Sequence, residues 1–185
     1  MKLEKHTYWI TGISPLLTHN PGSMVHGSIM KVGRKQDTPA EEAEKGLYRV
    51  TGGYGIPAIS LRAALLSGCK GVKVGKVGLM SVIAPAVVHT EEFCTLLDPK
   101  TKKPLVDYKI DTRRVGMPSG GSVVRCRPRF EEWACRVTFE VDVDYVPDTK
   151  VVLQYLNVGG IKAGVGDYRP ECTGWFGKFK AEESK

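Results

Sequence analysis

Cys135-Arg136-Val137-Thr138-Phe139-Glu140-Val141-Asp142-Val143-Asp144 alternates apolar and polar residues without a break. In an extended chain a period of two puts Cys135, Val137, Phe139, Val141 and Val143 on one face and the polar residues on the other, which predicts a half-buried β-strand. Just upstream, Ser122 to Phe130 places Arg125, Arg127 and Arg129 at every second position, so that an extended backbone would line up all three guanidinium groups. Downstream, Asp148 stands where it can cap a helix whose apolar residues Val151, Val152, Tyr155 and Leu156 share a face, and Gly159-Gly160 supplies a stop. A glycine-rich loop from Gly159 to Pro170 follows, and Gly174 to Phe179 is predicted as a closing strand.

Toward the other end, Thr7 to Ile13 is β-branched and aromatic and ends at Ser14-Pro15, the pattern of a first strand. Good helix formers run from Ala58 to Leu66 after Pro57, with Ser67-Gly68 to end the helix. Leu79 to His89 is apolar enough for a buried strand interrupted at Pro85, and Asp98 to Lys103 makes a polar turn. In order these segments are strand, helix, strand, strand, helix, strand, which predicts an α+β, ferredoxin-like (RRM-like) βαββαβ domain. Residues 19–53, polar with room for one short helix, and residues 98–130 are left over as insertions or arms.

Composition bounds this reading. A chain of 185 residues has material for one well-packed core, so a single domain spanning 1–185 is expected. Its 21 glycines and 11 prolines imply many turns. Lys and Arg outnumber Asp and Glu by 27 to 20, a net charge of +7 that would attract a polyanion if clustered. Cys69, Cys94, Cys126, Cys135 and Cys172 form no C-x-x-C pair, so neither a disulfide framework nor a four-cysteine zinc site is suggested, and a reducing cytoplasm is expected. No apolar run approaches the ~18 residues of a membrane span, and the N-terminus lacks a signal-length apolar stretch, so the protein is expected to be neither secreted nor membrane-spanning.

Two constellations carry chemistry. Arg125, Arg127 and Arg129 with Arg113 and Arg114 place five arginines within seventeen residues, suited to bidentate pairing with phosphates. The alternative is the solvated face of a hairpin. The glycine loop, with Lys162 and Arg169, offers backbone amides unshielded by side chains, the chemistry of an anion-binding concavity, or simply a turn that needs positive φ. It lacks the P-loop order, and its G-x-G follows a helix rather than a strand, so ATP and NAD are not expected and no cofactor is implied. Among Tyr8, Trp9, Tyr54, Tyr168, Trp175 and Phe176, Trp9 or Trp175 could stack on bases. His6, His19, His26 and His89 match no metal-ligand spacing, although His19 and His26 share a polar segment where a general base could sit.

The strand Ile10-Thr11-Gly12-Ile13-Ser14-Pro15-Leu16, the segment Gly55-Ile56-Pro57-Ala58-Ile59-Ser60-Leu61-Arg62-Ala63-Ala64-Leu65 and the late glycine-rich loop together resemble the RAMP superfamily. These are ferredoxin-like RNA-binding proteins that form the backbone of CRISPR effector complexes. In that family an Ile-Pro-Gly-Ser-Ser-Leu-Lys-Gly type segment opens the first helix. Here Ala58, Ile59, Arg62 and Ala63 stand at the positions of the first glycine, the first serine, the lysine and the second glycine. The resemblance implies that Ser60, Arg62 and the loop from Gly159 to Arg169 lie near nucleic acid, and that residues 19–53 or the arginine hairpin form an inserted arm. The histidine and aspartate positions of family members that cleave RNA have no counterpart here, which implies binding without cleavage. In style the sequence also resembles a small phage or mobile-element protein.

The expected nucleic-acid-binding residues are therefore Ser60, Arg62, Arg113, Arg114, Arg125, Arg127, Arg129, Gly160, Lys162, Gly164, Gly166 and Arg169. The expected partner is single-stranded RNA or DNA, with copies assembling head-to-tail along the strand. Two other readings stay open: an interaction or inhibitor module that sets the same basic face against a protein, and an endoribonuclease that uses a loop histidine.

Overall fold

The computed structural model describes residues 1–22, 37–116 and 120–184. In chain order the strands are β1 (Leu3–Gly12), β2 (Leu16–Leu17), β3 (Tyr48–Val50), β4 (Gly53–Pro57), β5 (Lys73–Val74), β6 (Val77–Gly78), β7 (Val87–His89), β8 (Phe93–Thr95), β9 (Lys109–Gly116), β10 (Ser122–Phe130), β11 (Ala134–Asp142) and β12 (Phe179–Glu183). The helices are α1 (Pro39–Lys45), α2 (Ala58–Gly68), α3 (Leu79–Ala86) and α4 (Lys150–Lys162).

Alternation within β1 and β11 builds the central sheet. The two strands pair antiparallel with Tyr8 opposite Val137 and Ile10 opposite Cys135, and these four side chains are buried. They join Phe139 and Val141 beneath Leu61 and Leu65 of α2 and Val152 and Leu156 of α4, all in one core. Full burial of each large side chain contributes roughly 1.5–3 kcal/mol. The other face of the sheet stays polar: Thr7 and Thr138 meet hydroxyl to hydroxyl at 3.1 Å, and Lys5 pairs with Glu140 at 3.6 Å. The strand order is β12-β1-β11-β7, with every neighbouring pair antiparallel. Helix α2 precedes β7 and α4 precedes β12. The chain is thus an α+β protein of the ferredoxin-like type, its core strands standing fourth, first, third and second across the sheet.

Two three-stranded sheets, β2-β10-β9 and β3-β4-β8, accompany this core, and β5 and β6 form a two-stranded sheet of their own. Helix α1 closes over the first. It begins with a capping box in which Thr38 accepts from the Glu41 amide and the Glu41 carboxylate accepts from the Thr38 amide.

Several sequence expectations are corrected. Leu79 to His89 is not one interrupted strand but helix α3 followed by strand β7. A short apolar run fits either state, and Leu, Met and Ala favour the helix. Pro85 sits in the last turn, and the Arg62 guanidinium donates to the carbonyls of Ala84 and Val87, satisfying groups the helix end leaves open. Helix α4 does not stop at Gly159-Gly160; it runs on to Lys162, and its N-cap is Thr149 rather than Asp148. Both glycines serve close packing. A Cβ on Gly159 would lie 1.9 Å from the Ala64 carbonyl oxygen of α2, and one on Gly160 would lie 2.3 Å from that of Phe179. Gly174 to Phe179 is not a strand either: the closing strand starts at Phe179, after a 3-10 turn at Pro170–Cys172 and an irregular stretch.

Candidate nucleic-acid interface

After α4 the chain makes the turns that its glycines allow. Gly164 has φ 66° and Gly166 φ 76°, backbone angles that a side chain would strain. A Cβ on Gly166 would also sit 2.3 Å from the Leu17 carbonyl oxygen. The Asp167 amide donates to that oxygen at 2.8 Å and the Val165 amide to Gly177 at 2.9 Å, so the loop is pinned against β2 on one side and residue 177 on the other. Tyr168 takes φ 51°, unusual for a residue with a bulky side chain.

Between this loop and the first turns of α2 lies a cavity of about 430 Å³. Ile59, Ser60 and Ala63 of α2 form one wall and Gly164 to Asp167 with Arg169 another, while Thr18, His19, Pro21 and Tyr48 close it. Its size falls within the range of small-ligand pockets, about 300–1,000 Å³. Helix α2 enters from Pro57 with no side-chain cap and no acidic residue in its first turn, leaving the positive end of the helix at this wall.

The polar side chains around the cavity are joined in two networks. Arg127, 9% exposed, forms an ion pair with Asp167 but not in hydrogen-bond geometry. Glu171 accepts from Ser67 at 3.1 Å, Lys70 at 3.0 Å and Arg169 at 3.2 Å. The hydrogen bond from Lys70 and then that from Ser67 hold its carboxyl below the usual carboxylate range. Arg169 also donates to the Gly166 carbonyl at 3.2 Å, bracing the loop. The Tyr48 hydroxyl donates to the His19 carbonyl at 3.0 Å. Burial pushes the His19 imidazole below its ordinary value; Arg127 and Arg125 push the same way, against Asp167 and Glu42. The Thr18 hydroxyl is buried without a hydrogen-bond partner among the described residues.

The arginine hairpin of β9 and β10 is largely neutralised by carboxylates. Arg125 reaches Glu42 of α1 at 3.2 Å, and Arg129 lies 2.9 Å from Glu131 and 3.6 Å from Asp111. Arg113 grips Asp111 through two nitrogens at 2.5 Å each and lies over the Phe176 ring at 4.6 Å and the Tyr168 ring at 5.4 Å. Asp111 is buried, and the Arg113 hydrogen bonds hold its carboxyl low. Arg114 is exposed, with no carboxylate within ion-pair distance among the described residues. Beside this group Trp175 is 49% and Tyr168 36% exposed.

Of the residues expected from sequence, Ser60, Gly164, Gly166 and Arg169 line the cavity. Arg127 stands behind it, and Arg113 and Arg129 adjoin it through the aromatic group. Arg62 does not join them, since its guanidinium is engaged at the end of α3, and Gly160 is buried under Phe179. Lys162 is exposed at the end of α4. Sequence reasoning missed Thr18 and Tyr48 as cavity residues, covered Asp167 only as part of the loop from Gly159 to Arg169, and weighed His19 only as a catalytic or metal-binding group. His26 lies outside the described residues. Cys69, Cys94, Cys126 and Cys135 are buried, whereas Cys172 is exposed. Burial lifts the Cys69 thiol to about 11. Among the described residues no group of three or more His, Cys, Asp or Glu could hold a metal ion, and no helix is long and apolar enough to cross a membrane.

The fold and site together define a ferredoxin-like α+β protein with a cavity between its first core helix and its glycine loop. No family model matches the chain, and no curated protein matches it. Among solved structures it is similar to Cmr6 from Pyrococcus furiosus, with 11% identity, 98% of this chain and 100% of that chain covered, and a TM-score of 0.48.

Proposed function

We propose that the protein binds single-stranded nucleic acid across the cavity and the adjoining rim of Arg113, Tyr168 and Trp175, the strand passing on to the exposed Arg114 on the other face of the hairpin. The observation that carries this reading is the juxtaposition of three segments far apart in sequence: the start of α2 with Ser60 and the glycine loop with Arg169 share the cavity, and the arginine hairpin meets that loop through Arg127 at Asp167 and Arg113 over Tyr168. A positive helix end and an arginine suit phosphates, while exposed aromatic rings suit unpaired bases, whose faces a duplex would hide. The net charge of +7 favours such a partner at long range. Copies of the chain bind along one strand head-to-tail, in the manner that the RAMP resemblance implies, and the protein works in the cytoplasm.

Fluorescence anisotropy with single-stranded RNA, single-stranded DNA and duplex DNA of equal length, at two salt concentrations, tests this. Tight, salt-dependent binding to single strands is expected. No binding to any of them at low salt would overturn it and favour the protein-partner reading, in which the basic face meets an acidic surface.

A specific observation supports a second reading, endoribonuclease activity. His19 lines the cavity, where its imidazole, held below the ordinary value by burial, is placed to act as a general base. Cleavage of a labelled RNA that is lost in His19→Ala would establish it, and no cleavage by the unmodified protein would dismiss it.

A further inference from the structure

Helices α2, α3 and α4 all contribute to the core on one side of the central sheet, and α1 packs against β9 and β10. Among the described residues, the other face of the sheet carries no helix. Tyr8 and Ile10 are buried in the core, so Trp9 between them points to this open face. Arg136 of β11 stands directly across from Trp9, and Glu182 of β12 stands on its other side. The Arg136 guanidinium and the Lys102 amine each lie 5.6 Å from the centre of the Trp9 ring. Lys102 reaches the ring from the turn between Asp98 and Lys103, which closes through the Asp98 amide on the Lys103 carbonyl at 2.8 Å. Both cations are exposed, and among the described residues neither has a carboxylate within ion-pair distance. The arginine hairpin is the reverse, since Glu42, Asp111 and Asp167 take up its guanidinium groups. A cation over an exposed ring is held weakly and stays available to an anion.

We infer that the open sheet face is a second contact surface for a single strand, separate from the cavity: a base stacks on the Trp9 indole and the adjoining phosphates pair with Arg136 and Lys102. This rests on the single-strand reading above and adds a surface to it. An indole accepts the face of any unpaired base, and a duplex hides those faces. The base takes the place of one cation on the ring, and that cation remains beside the neighbouring phosphate. A cation–π contact is thereby exchanged for stacking and an ion pair. Glu182 repels phosphate from the β12 side of the ring, which sets the strand toward Arg136 and the Lys102 turn. The rest of the face suits a protein partner poorly. Thr7 meets Thr138 and Lys5 pairs with Glu140, so the apolar centre of a protein interface is missing.

The test reads tryptophan emission of Trp175→Phe, in which Trp9 and Trp133 are the remaining indoles. Trp133 is fully buried and donates to the Ser14 carbonyl at 2.9 Å, so its emission reports the folding of every variant. Single strands of about six nucleotides are added, with anisotropy of the labelled strand showing that it is bound. Quenching on binding is expected, and it should vanish when Trp9→Phe is added. In the otherwise unmodified chain, Trp9→Thr should weaken strand binding roughly tenfold. Lys102→Ala and Arg136→Ala should each lower the salt slope by about 0.7. A bound strand without quenching, or quenching that survives Trp9→Phe, overturns the inference and leaves the single-strand reading standing. Equal quenching by polyglutamate, which has no bases, overturns it too and reduces the face to a cationic patch. Absence of strand binding by the unmodified protein overturns both readings.

Discussion

The arginine hairpin and the glycine loop carry the two patterns in this chain that suit phosphate chemistry, and folding treats them in opposite ways. On the hairpin, Arg125, Arg127 and Arg129 share a face as their period of two requires, yet each meets a carboxylate that sequence spacing does not reveal. Glu42 arrives on α1 and Asp167 on the loop itself. The loop instead gathers groups, because its glycines let the backbone close against Leu17 and bring Arg169 to the cavity that also holds Ser60 and His19. A run of like charges therefore reports a face but not its availability. Glycines with a forced geometry report a shape.

The largest expected effect would break this comparison on the loop side. Gly166→Val places a branched side chain at φ 76° and drives its Cβ into the Leu17 carbonyl. A loss of ~3 kcal/mol or more in urea unfolding is expected, together with loss of strand binding. Stability within 1 kcal/mol of the parent, taken as roughly the size of an ordinary surface change, would mean that the loop is not held as described.

Next comes the hairpin's internal pairing. Asp111→Ala removes the buried carboxylate that Arg113 and Arg129 share, at an expected cost of about 2 kcal/mol near neutral pH. The Asp111 carboxyl titrates below its unfolded value, so on acidification the unfolded chain takes up this proton first. Its contribution is present above about pH 4 and is lost as the pH falls through the folded value. Urea unfolding of parent and variant should therefore converge in acid; a constant gap would assign the effect to packing alone.

Individual arginines sharpen the comparison further. Arg114→Ala should reduce the salt dependence of strand binding by about one unit of slope with little change in stability. Arg127→Ala should do the reverse, leaving the slope and costing about 1–2 kcal/mol, because it orphans Asp167. If both variants change the slope equally, the pairing of Arg127 with Asp167 gives way in the complex.

Much of the fold was legible because it rests on local periodicity. The alternation from Cys135 to Asp144 became β11, and the helix formers after Pro57 became α2. What failed was decided by tertiary contacts. Leu79 to Ala86 is helical with Arg62 at its end, and Gly159-Gly160 continue α4 because a neighbouring helix and strand lie too close for any side chain. At the cavity, Gly164, Gly166 and Arg169 could be named from the glycine-rich motif, and Ser60 from the family resemblance alone. Thr18 and Tyr48 could not, since nothing near them in sequence distinguishes them and only the closure of β2, β3 and the loop brings them to the cavity.

The smallest effect concerns His19, where the loop and the hairpin meet. Its imidazole is pushed down by burial and by Arg127 and Arg125, while Asp167 and Glu42 pull it up. With the folded value below the unfolded one, the unfolded chain binds the proton first as the pH drops below about 6.5, so stability falls on acidification. His19→Gln removes this term. The melting temperature of the unmodified protein should therefore drop by about one to two degrees more than that of the variant between pH 7.5 and 5.5. A drop of equal size in both would place His19 in solvent, free of the cavity and of the Arg127–Asp167 pair behind it, whereas a larger drop in the variant would reverse the sign of its coupling to them.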